Sequence, residues 1–482
     1  MTPVKDRATP DFPTAALPLL HDIQLRSNVR HATDVIQGKR FRVVSEMPDW
    51  QSLRETGQRI REHTLQYLDS YLEQFEERCT AAGGHVHWAR DTAEANRIVV
   101  QMAQNATSRV IKIKSMTTEE IGLNRALEAA GIRPVETDLA ELIIQLGHDK
   151  PSHIVVPALH KNRQQIRELF AQAMGQPHLG DRPEDLTEAA RLYLRQQFMH
   201  TPVAISGANF LIAETGGICI VESEGNGRMC LTLPRTLITI AGIDKVIPRF
   251  RDLEVLLQLL PRSATGERMN PYNSLWAGVR PGDGPQEFHV VLLDNRRTEI
   301  LRDPEARETL HCIRCGACQN ACPVYRQTGG HAYSSVYAGP IGAILTPQLA
   351  LMKEGQSLPY ASSLCGACYE VCPVKINIPE VLIHLRGRVV NARPKYMRAL
   401  NLEAIAMRGM QWIFLSKTRL QLAQRLGRVA QIPWVRRSGW IERLPGMLGG
   451  WTRTRDLRPL PQQSFREWFQ KRSSLPTEVP HE

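Results

Sequence analysis

Seven of the ten cysteines fall between residues 312 and 372, and no other feature limits the possible folds of this chain so sharply. The first group, HCIRCGACQNACPVYR, starts at His311 and sets Cys312, Cys315, Cys318 and Cys322 in a C-x2-C-x2-C-x3-C pattern followed by Pro323. The second, SSLCGACYEVCPVKI, repeats it with Cys365, Cys368 and Cys372 ahead of Pro373, but Ser362 stands where the first cysteine belongs. Thiolates separated by two residues can wrap one corner of an iron–sulfur cubane. The turn between them points successive side chains inward and turns N–H groups near Gly316 and Ala317 toward the sulfurs. Zinc sites present C-x2-C pairs at long separations, so the triplet and the Cys-Pro pairs select iron–sulfur. A disulfide scaffold would be small, loop-rich and evenly populated with half-cystines. Here Cys79, Cys219 and Cys230 are scattered instead.

In the C-x2-C-x2-C-x3-C-P pattern the fourth cysteine has turned away from the first cluster and ligates the second. This crossing assigns Cys312, Cys315, Cys318 and Cys372 to cluster I, and Cys322, Cys365 and Cys368 to cluster II. The eighth position falls on Ser362, which leaves three readings. The hydroxyl ligates weakly, the site is a three-iron cluster, or the fourth iron is open to water, a substrate or a ligand from another chain. A four-iron cluster with a non-cysteine or external ligand ranks ahead of a three-iron one. His311, Cys219 and Cys230 are further options for the fourth ligand, each more simply read as structural. The 42 residues between Cys322 and Cys365 have helical character, which predicts an all-helical ferredoxin module over 301–392.

The rest of the chain reads as an ordinary globular protein, with 42% hydrophobic and 23% charged residues among 482. No run of eighteen apolar residues occurs. The start, MTPVKDRATPDFPTAALPLL, lacks a contiguous apolar core for a secretory signal. A cytoplasmic location is the expectation, or a peripheral one at the inner membrane face. Residues 1–65 read as a polar helical segment, and LRETGQRIREHTLQYLDSYLEQFEERC (53–79) as one long amphipathic helix. Strands alternating with helices over 66–300 predict a mixed sheet with flanking helices. The strands are expected at 85–89, 109–115, 153–159, 209–215, 217–223, 236–242 and 288–294. Gly216-Gly217 reads as a hairpin turn. TTEEIGLNRALEAAG reads as a helix capped by Thr117 or Thr118 and ended by Gly131.

No G-x-G-x-x-G fingerprint occurs between a strand and a helix. Glu214, Glu222 and Glu224 concentrate around two glycine-rich turns. They are readable as a nucleophile or base, or more plainly as turn caps pairing with Arg228 and Arg235. Residues 393–482 form a basic region in which arginines interleave with Trp412, Trp434, Trp440 and Trp451. With a net charge of +11, docking of an acidic partner subunit ranks ahead of binding nucleic acid or an anionic membrane.

IKIKSMTTEEIGLN (111–124), VETDLAELIIQLGHDKPSHIVVPALHKNR (135–163) and ISGANFLIAETGGICIVESEGNGR (205–228) resemble the LUD domain of the lactate-utilisation proteins. With the double cysteine motif behind them, the chain resembles the lactate utilisation protein B family from about residue 60 to the tail. Even the serine in SSLCGACYEVCPVKI is similar to that family's second motif. The resemblance implies an isomerase/CoA-transferase-like α/β domain and two iron–sulfur clusters, 4Fe–4S in type. It also implies a role as electron-transfer subunit in oxidising L-lactate to pyruvate, with a cysteine-rich CCG-type protein and a smaller LUD protein as partners. It supplies no catalytic residue. Other readings are electron transfer for another 2-hydroxy acid or a heterodisulfide-reductase-like partner, or a regulatory iron–sulfur protein that binds nucleic acid.

Overall fold

The computed structural model describes residues 10–392, 402–452 and 455–473. The chain divides into two compact units, 1–392 and 393–482. In the first unit ten strands alternate with helices. They are β1 (His85–Ala89), β2 (Arg109–Lys112), β3 (Arg133–Glu136), β4 (Val203–Ser206), β5 (Phe210–Ile212), β6 (Gly217–Glu222), β7 (Thr236–Gly242), β8 (Val246–Ile247), β9 (Tyr272–Trp276) and β10 (Glu287–Leu293). Six build a wholly parallel sheet in the order β1-β10-β7-β4-β2-β3. The run TLITIAG fills β7 near its middle, every residue buried, as a strand covered on both faces requires. The other four form a second sheet, β8-β5-β6-β9, and the mixed character expected from sequence resides there. The β5–β6 hairpin turns at Gly216, whose φ is 66°. A Cβ at that position would lie 2.2 Å from the Cys79 amide nitrogen, so glycine is required twice over.

Three expectations need correction. The stretch 153–159 is not a strand. His153 Nδ1 takes the amide protons of Val155 and Val156, each at 3.0 Å, and the Ser152 amide bonds the Pro157 carbonyl at 3.0 Å. The donors a ladder would use are spent inside a tight loop. The long helix over 53–79 is two helices, Trp50–Gln66 and Leu68–Ala81, broken at Tyr67 (φ −120°, ψ 37°). The break re-aims the apolar stripe. Trp50 packs into the core of the cysteine-bearing segment, whereas Leu68, Leu72, Phe75 and Cys79 pack into the α/β core. The helix expected from Thr117 begins at Met116 with Ser115 as its cap, and Gly122 (φ 63°) splits it before Leu123–Ala129.

From Arg297 to Ala392 the elements are short α-helices and 3-10 turns. The N-terminal helices Phe12–His21, Ile23–Ser45 and Trp50–Gln66 share a core with them, where Leu25, Val29 and Trp50 join Cys315, Cys322, Cys368 and Cys372. The N-terminal segment is thus a wall of the cysteine site. The second unit, taken by itself, holds helices Leu402–Phe414, Lys417–Ala430 and Phe465–Ser473. Among its described residues only Ile441 is buried. Arg419, Arg458 and Arg472 stack on Trp412, Trp440 and Trp468 at 4.3–5.3 Å.

Candidate iron–sulfur site and the adjoining cavity

The two motifs fold into the same turn. Arg314 (φ 61°) and Leu364 (φ 54°) hold left-handed backbone just before Cys315 and Cys365. Gly316 (φ 75°) and Gly366 (φ 85°) follow and open the helices Ala317–Ala321 and Ala367–Val371. Those helices pack on each other, and each leads into a Cys-Pro pair. Backbone amides point at sulfur throughout. Arg314 donates to Cys312 Sγ at 3.4 Å, Tyr325 to Cys322 Sγ at 3.5 Å and Ile376 to Cys372 Sγ at 3.4 Å. In the second motif the Leu364 amide donates to Ser362 Oγ at 3.1 Å. The serine oxygen therefore takes the same i+2 amide bond as the Cys312 sulfur, which puts Ser362 at the equivalent place in the turn.

A small cavity is lined by Cys312, Cys315, Cys318 and Cys372, closed by Ile341 and Ile376. Burial, then the neighbouring Cys372, pushes the Cys315 thiol up. Burial raises Cys372 to about 11, opposed by the Ile376 and Val374 amides. Cys368 is pushed up to about 12 by burial and then by Cys322 and Cys365. Thiols crowded this way need cations to release their protons, and a set made of sulfur alone suits a soft iron–sulfur cluster. The donors fit the group. Three arginines from the N-terminal wall brace the cavity. Arg54 donates to the carbonyls of Cys372 (2.9 Å) and Tyr369 (3.1 Å), and Arg40 to that of Val371 (3.1 Å). Arg61 donates to the carbonyls of Val246 (2.9 Å) and Leu310 (3.0 Å). The loop at 152–160 braces the other side. His153 Nε2 lies 3.1 Å from Asn320 Oδ1, and Tyr325 Oη donates to the Ser152 carbonyl at 2.6 Å. Four of the seven cysteines, Cys315, Cys322, Cys368 and Cys372, are buried, Cys312 and Cys318 are half-buried, and Cys365 is the exposed one. Cys315 and Cys372 are each 7% exposed, whereas Cys365 lies open at the surface beside Ser363, Leu364 and Tyr369.

Other residues singled out from sequence lie elsewhere. Cys219 sits opposite Phe210 in the β5–β6 hairpin, and Cys230 is 3.7 Å from Thr137 Oγ1. Burial raises both to about 12. His311 is buried, and burial and then Arg61 lower it to about 3. None of the three lines the cysteine cavity. The acidic trio caps turns. Glu214 accepts the Phe250 amide at 2.8 Å, Glu222 those of Gly227 (2.7 Å) and Arg228 (2.6 Å), and Glu224 that of Leu139 (2.9 Å). Arg235 pairs with Glu287 at 3.9 Å.

Beside the cysteine cavity, with Arg314 lining both, the α/β domain opens a cavity of about 250 Å³, walled by β6, by residues 113–117 after β2 and by residues 207–209. Its lining includes three cations that sequence reasoning passed over: Lys114, Lys245 and Arg314. Burial, then Arg314, pulls the Lys245 ammonium down to about 7. Arg314 sat in plain view as an x of C-x2-C. Its charge inside a thiolate loop was the signal available, and only the fold reveals that it faces a second cavity.

Residues 72–293 match the LUD domain family and residues 308–376 a 4Fe–4S dicluster domain. Lactate utilization protein B of Oceanobacillus iheyensis is 45% identical over 454 residues, covering 92% of this chain and 94% of the relative. The chain belongs to the lactate utilisation protein B family. The Bacillus subtilis member is 42% identical, with 93% and 94% covered. An Escherichia coli relative, called uncharacterized electron transport protein YkgF, is 42% identical with 96% of each chain covered. This family member is an iron–sulfur protein whose clusters belong to the segment carrying the two cysteine motifs. Among its described residues no helix is long and apolar enough to cross a membrane.

Proposed function

We propose that this chain is the electron-transfer subunit of a multi-protein system that oxidises L-lactate to pyruvate, carrying electrons through two crossed clusters. Cluster I is held by Cys312, Cys315, Cys318 and Cys372. Cluster II is held by Cys322, Cys365 and Cys368, with Ser362 at the fourth position. The observation that carries the assignment is the cavity in which Cys372 of the second motif faces the three leading cysteines of the first. Cys365 gives the route a direction: cluster I adjoins the α/β cavity through Arg314, and cluster II includes Cys365, the one exposed cysteine. Lactate gives up two electrons and two protons in becoming pyruvate. Each cluster takes one electron at a time, and the final acceptor is a redox centre of another protein. The clusters supply single-electron relay, while amide N–H groups and burial tune their potentials. The partners in this reading are a cysteine-rich CCG-type protein and a smaller LUD protein. The division of labour is an isomerase/CoA-transferase-like α/β domain over 66–300, a helical ferredoxin module over 301–392 and a basic region over 393–482.

The test is anaerobic reconstitution of the three proteins with full clusters. L-Lactate should bleach the cluster absorbance, and glycolate should not. Bleaching by neither acid, or equally by both, would refute the lactate assignment.

A further inference from the structure

The cavity of about 250 Å³ beside cluster I has a floor that electron relay alone does not use. Two of its lining cations, Lys245 and Arg314, are each only 8% exposed. Neither Nη of Arg314 has a hydrogen-bond partner. Its ion pair, to Asp244 Oδ2, is long at 3.6 Å, while Arg297 holds the other oxygen at 2.5 Å. A buried guanidinium with two idle nitrogens is costly unless an anion completes it. The carboxylates on the cavity wall are already engaged. Asp138 accepts the amides of Ala140 and Glu141, both at 3.1 Å, Glu222 and Glu224 accept those described above, and Glu267 pairs with Lys39 at 3.2 Å. Lys114, the third cation, donates to the Ile154 carbonyl and lies 3.6 Å from Glu141.

The repeat of the cysteine turn shows that the arginine is not needed for the turn itself. Leu364 takes the equivalent left-handed conformation with an uncharged side chain. Arg40, Arg54 and Arg61 also lie near Cys315, Cys372 and Cys312 and share in the charge balance of cluster I. The guanidinium of Arg314 lies over the Tyr337 ring, 4.9 Å from its centroid, leaves both Nη atoms without a hydrogen-bond partner, and lines this cavity as well as that of the cysteines.

We propose that this cavity binds a small carboxylate of the 2-hydroxy or 2-oxo acid class, gripped by Arg314 with Lys245 beside it. Ser115 and Asn209 line the same cavity and offer polar groups to the ligand's second oxygen. The acid class rests on the lactate reading above; the anion site rests on the geometry. A volume of about 250 Å³ lies below the roughly 300–1,000 Å³ of pockets for drug-sized ligands, which suits an acid of a few carbons. Arg314 also donates its amide to Cys312 Sγ, so the residue that holds the carboxylate is part of the loop that holds cluster I. Ligand binding and the electronic state of cluster I are thereby coupled.

The test uses anaerobically purified holoprotein without partners, with L-lactate, pyruvate, glycolate and acetate as probes. Binding is measured by calorimetry, and cluster I by electron paramagnetic resonance after dithionite reduction. Arg314→Leu copies the residue of the second motif and should keep its iron. Binding of L-lactate or pyruvate should weaken about tenfold or more in Arg314→Leu and in Lys245→Met. The resonance change on adding ligand should occur in the wild type and vanish in Arg314→Leu. If Arg314→Leu loses its iron, Lys245→Met and the wild-type resonance carry the test. No binding to wild-type holoprotein, or equal binding in every variant that keeps its iron, overturns the site. Arginine-dependent binding of acetate and glycolate but not L-lactate would keep the anion site and sink the lactate reading. Lactate-driven bleaching in the full mixture, with no Arg314-dependent binding here, would do the reverse.

Discussion

Cys372 is the residue on which the crossed ligation turns, and iron counting can isolate it. Replacing Cys315 and Cys318 together leaves cluster I two ligands whichever way the chains cross, so that cluster is lost. One sulfur is removed at each of two positions, a cost of order 1 kcal/mol apiece. That is small against a typical stability of about 5–15 kcal/mol, so the fold should survive. About four of about eight iron atoms should remain, all in cluster II. On this background Cys372→Ala should change nothing, since its sulfur lines the emptied cavity with Cys312. Cys322→Ala should instead take the count toward zero, leaving only Cys365 and Cys368. Anaerobic reconstitution, gel filtration and colorimetric iron analysis give the numbers. If Cys372→Ala empties the protein and Cys322→Ala spares it, each motif serves its own cluster and the crossing is wrong.

Three further outcomes are expected. Ser362→Cys keeps the Leu364 amide bond but replaces a hard oxygen by sulfur, so the potential of cluster II should rise while that of cluster I holds still; redox titration with no shift would exclude Ser362 from the ligand position. Arg54→Met strips two donors from the carbonyls of Cys372 and Tyr369, each worth about 1–3 kcal/mol when left unpaired. It should lower the unfolding midpoint and hasten iron loss to a chelator, whereas an unchanged rate would mean that the loop holds itself. Glu141 is pushed from near 4.5 to about 8 by burial, then by Glu119. The unfolded chain therefore gives up this proton first, and stability should fall as pH rises from about 4.5 to about 8. Glu141→Gln should flatten that slope in denaturant titrations.

Much of the cysteine site was legible because ligand spacing is a local property. The shared turn, the two glycines and the Cys-Pro ends follow from residues within a dozen positions of each other. Ser362 aligns with the first cysteine by spacing alone, and its oxygen takes the same i+2 amide bond as Cys312 Sγ. The supports were not legible. Arg40, Arg54 and Arg61 come from helices more than 240 residues upstream, and nothing in their own stretch separates them from solvent-facing arginines. The parallel sheet was readable in outline where strands were long and apolar, as in β7 and β10. The short strands β3, β4, β8 and β9 escaped because two to five residues carry little periodic signal. The loop at 153–159 misled for the opposite reason. HIVVPAL has a strand's composition, and only the placement of His153 diverts its amides.

The open position of Cys365 has a consequence for how such a protein ages. In the proposed assignment the exposed Cys365 and the serine at the fourth position give cluster II its one open edge, although Cys322 and Cys368 are buried, and that edge would admit dioxygen. Oxidative damage is expected to start at cluster II and to spare cluster I, none of whose assigned cysteines is exposed and whose cavity Ile341 closes. Timed air exposure followed by resonance spectra should show the surface centre fading first; simultaneous loss would mean that depth offers the inner centre no protection. A preparation handled in air would then retain the centre beside the cavity while losing its outlet, and would pass for a protein that binds its ligand but delivers nothing.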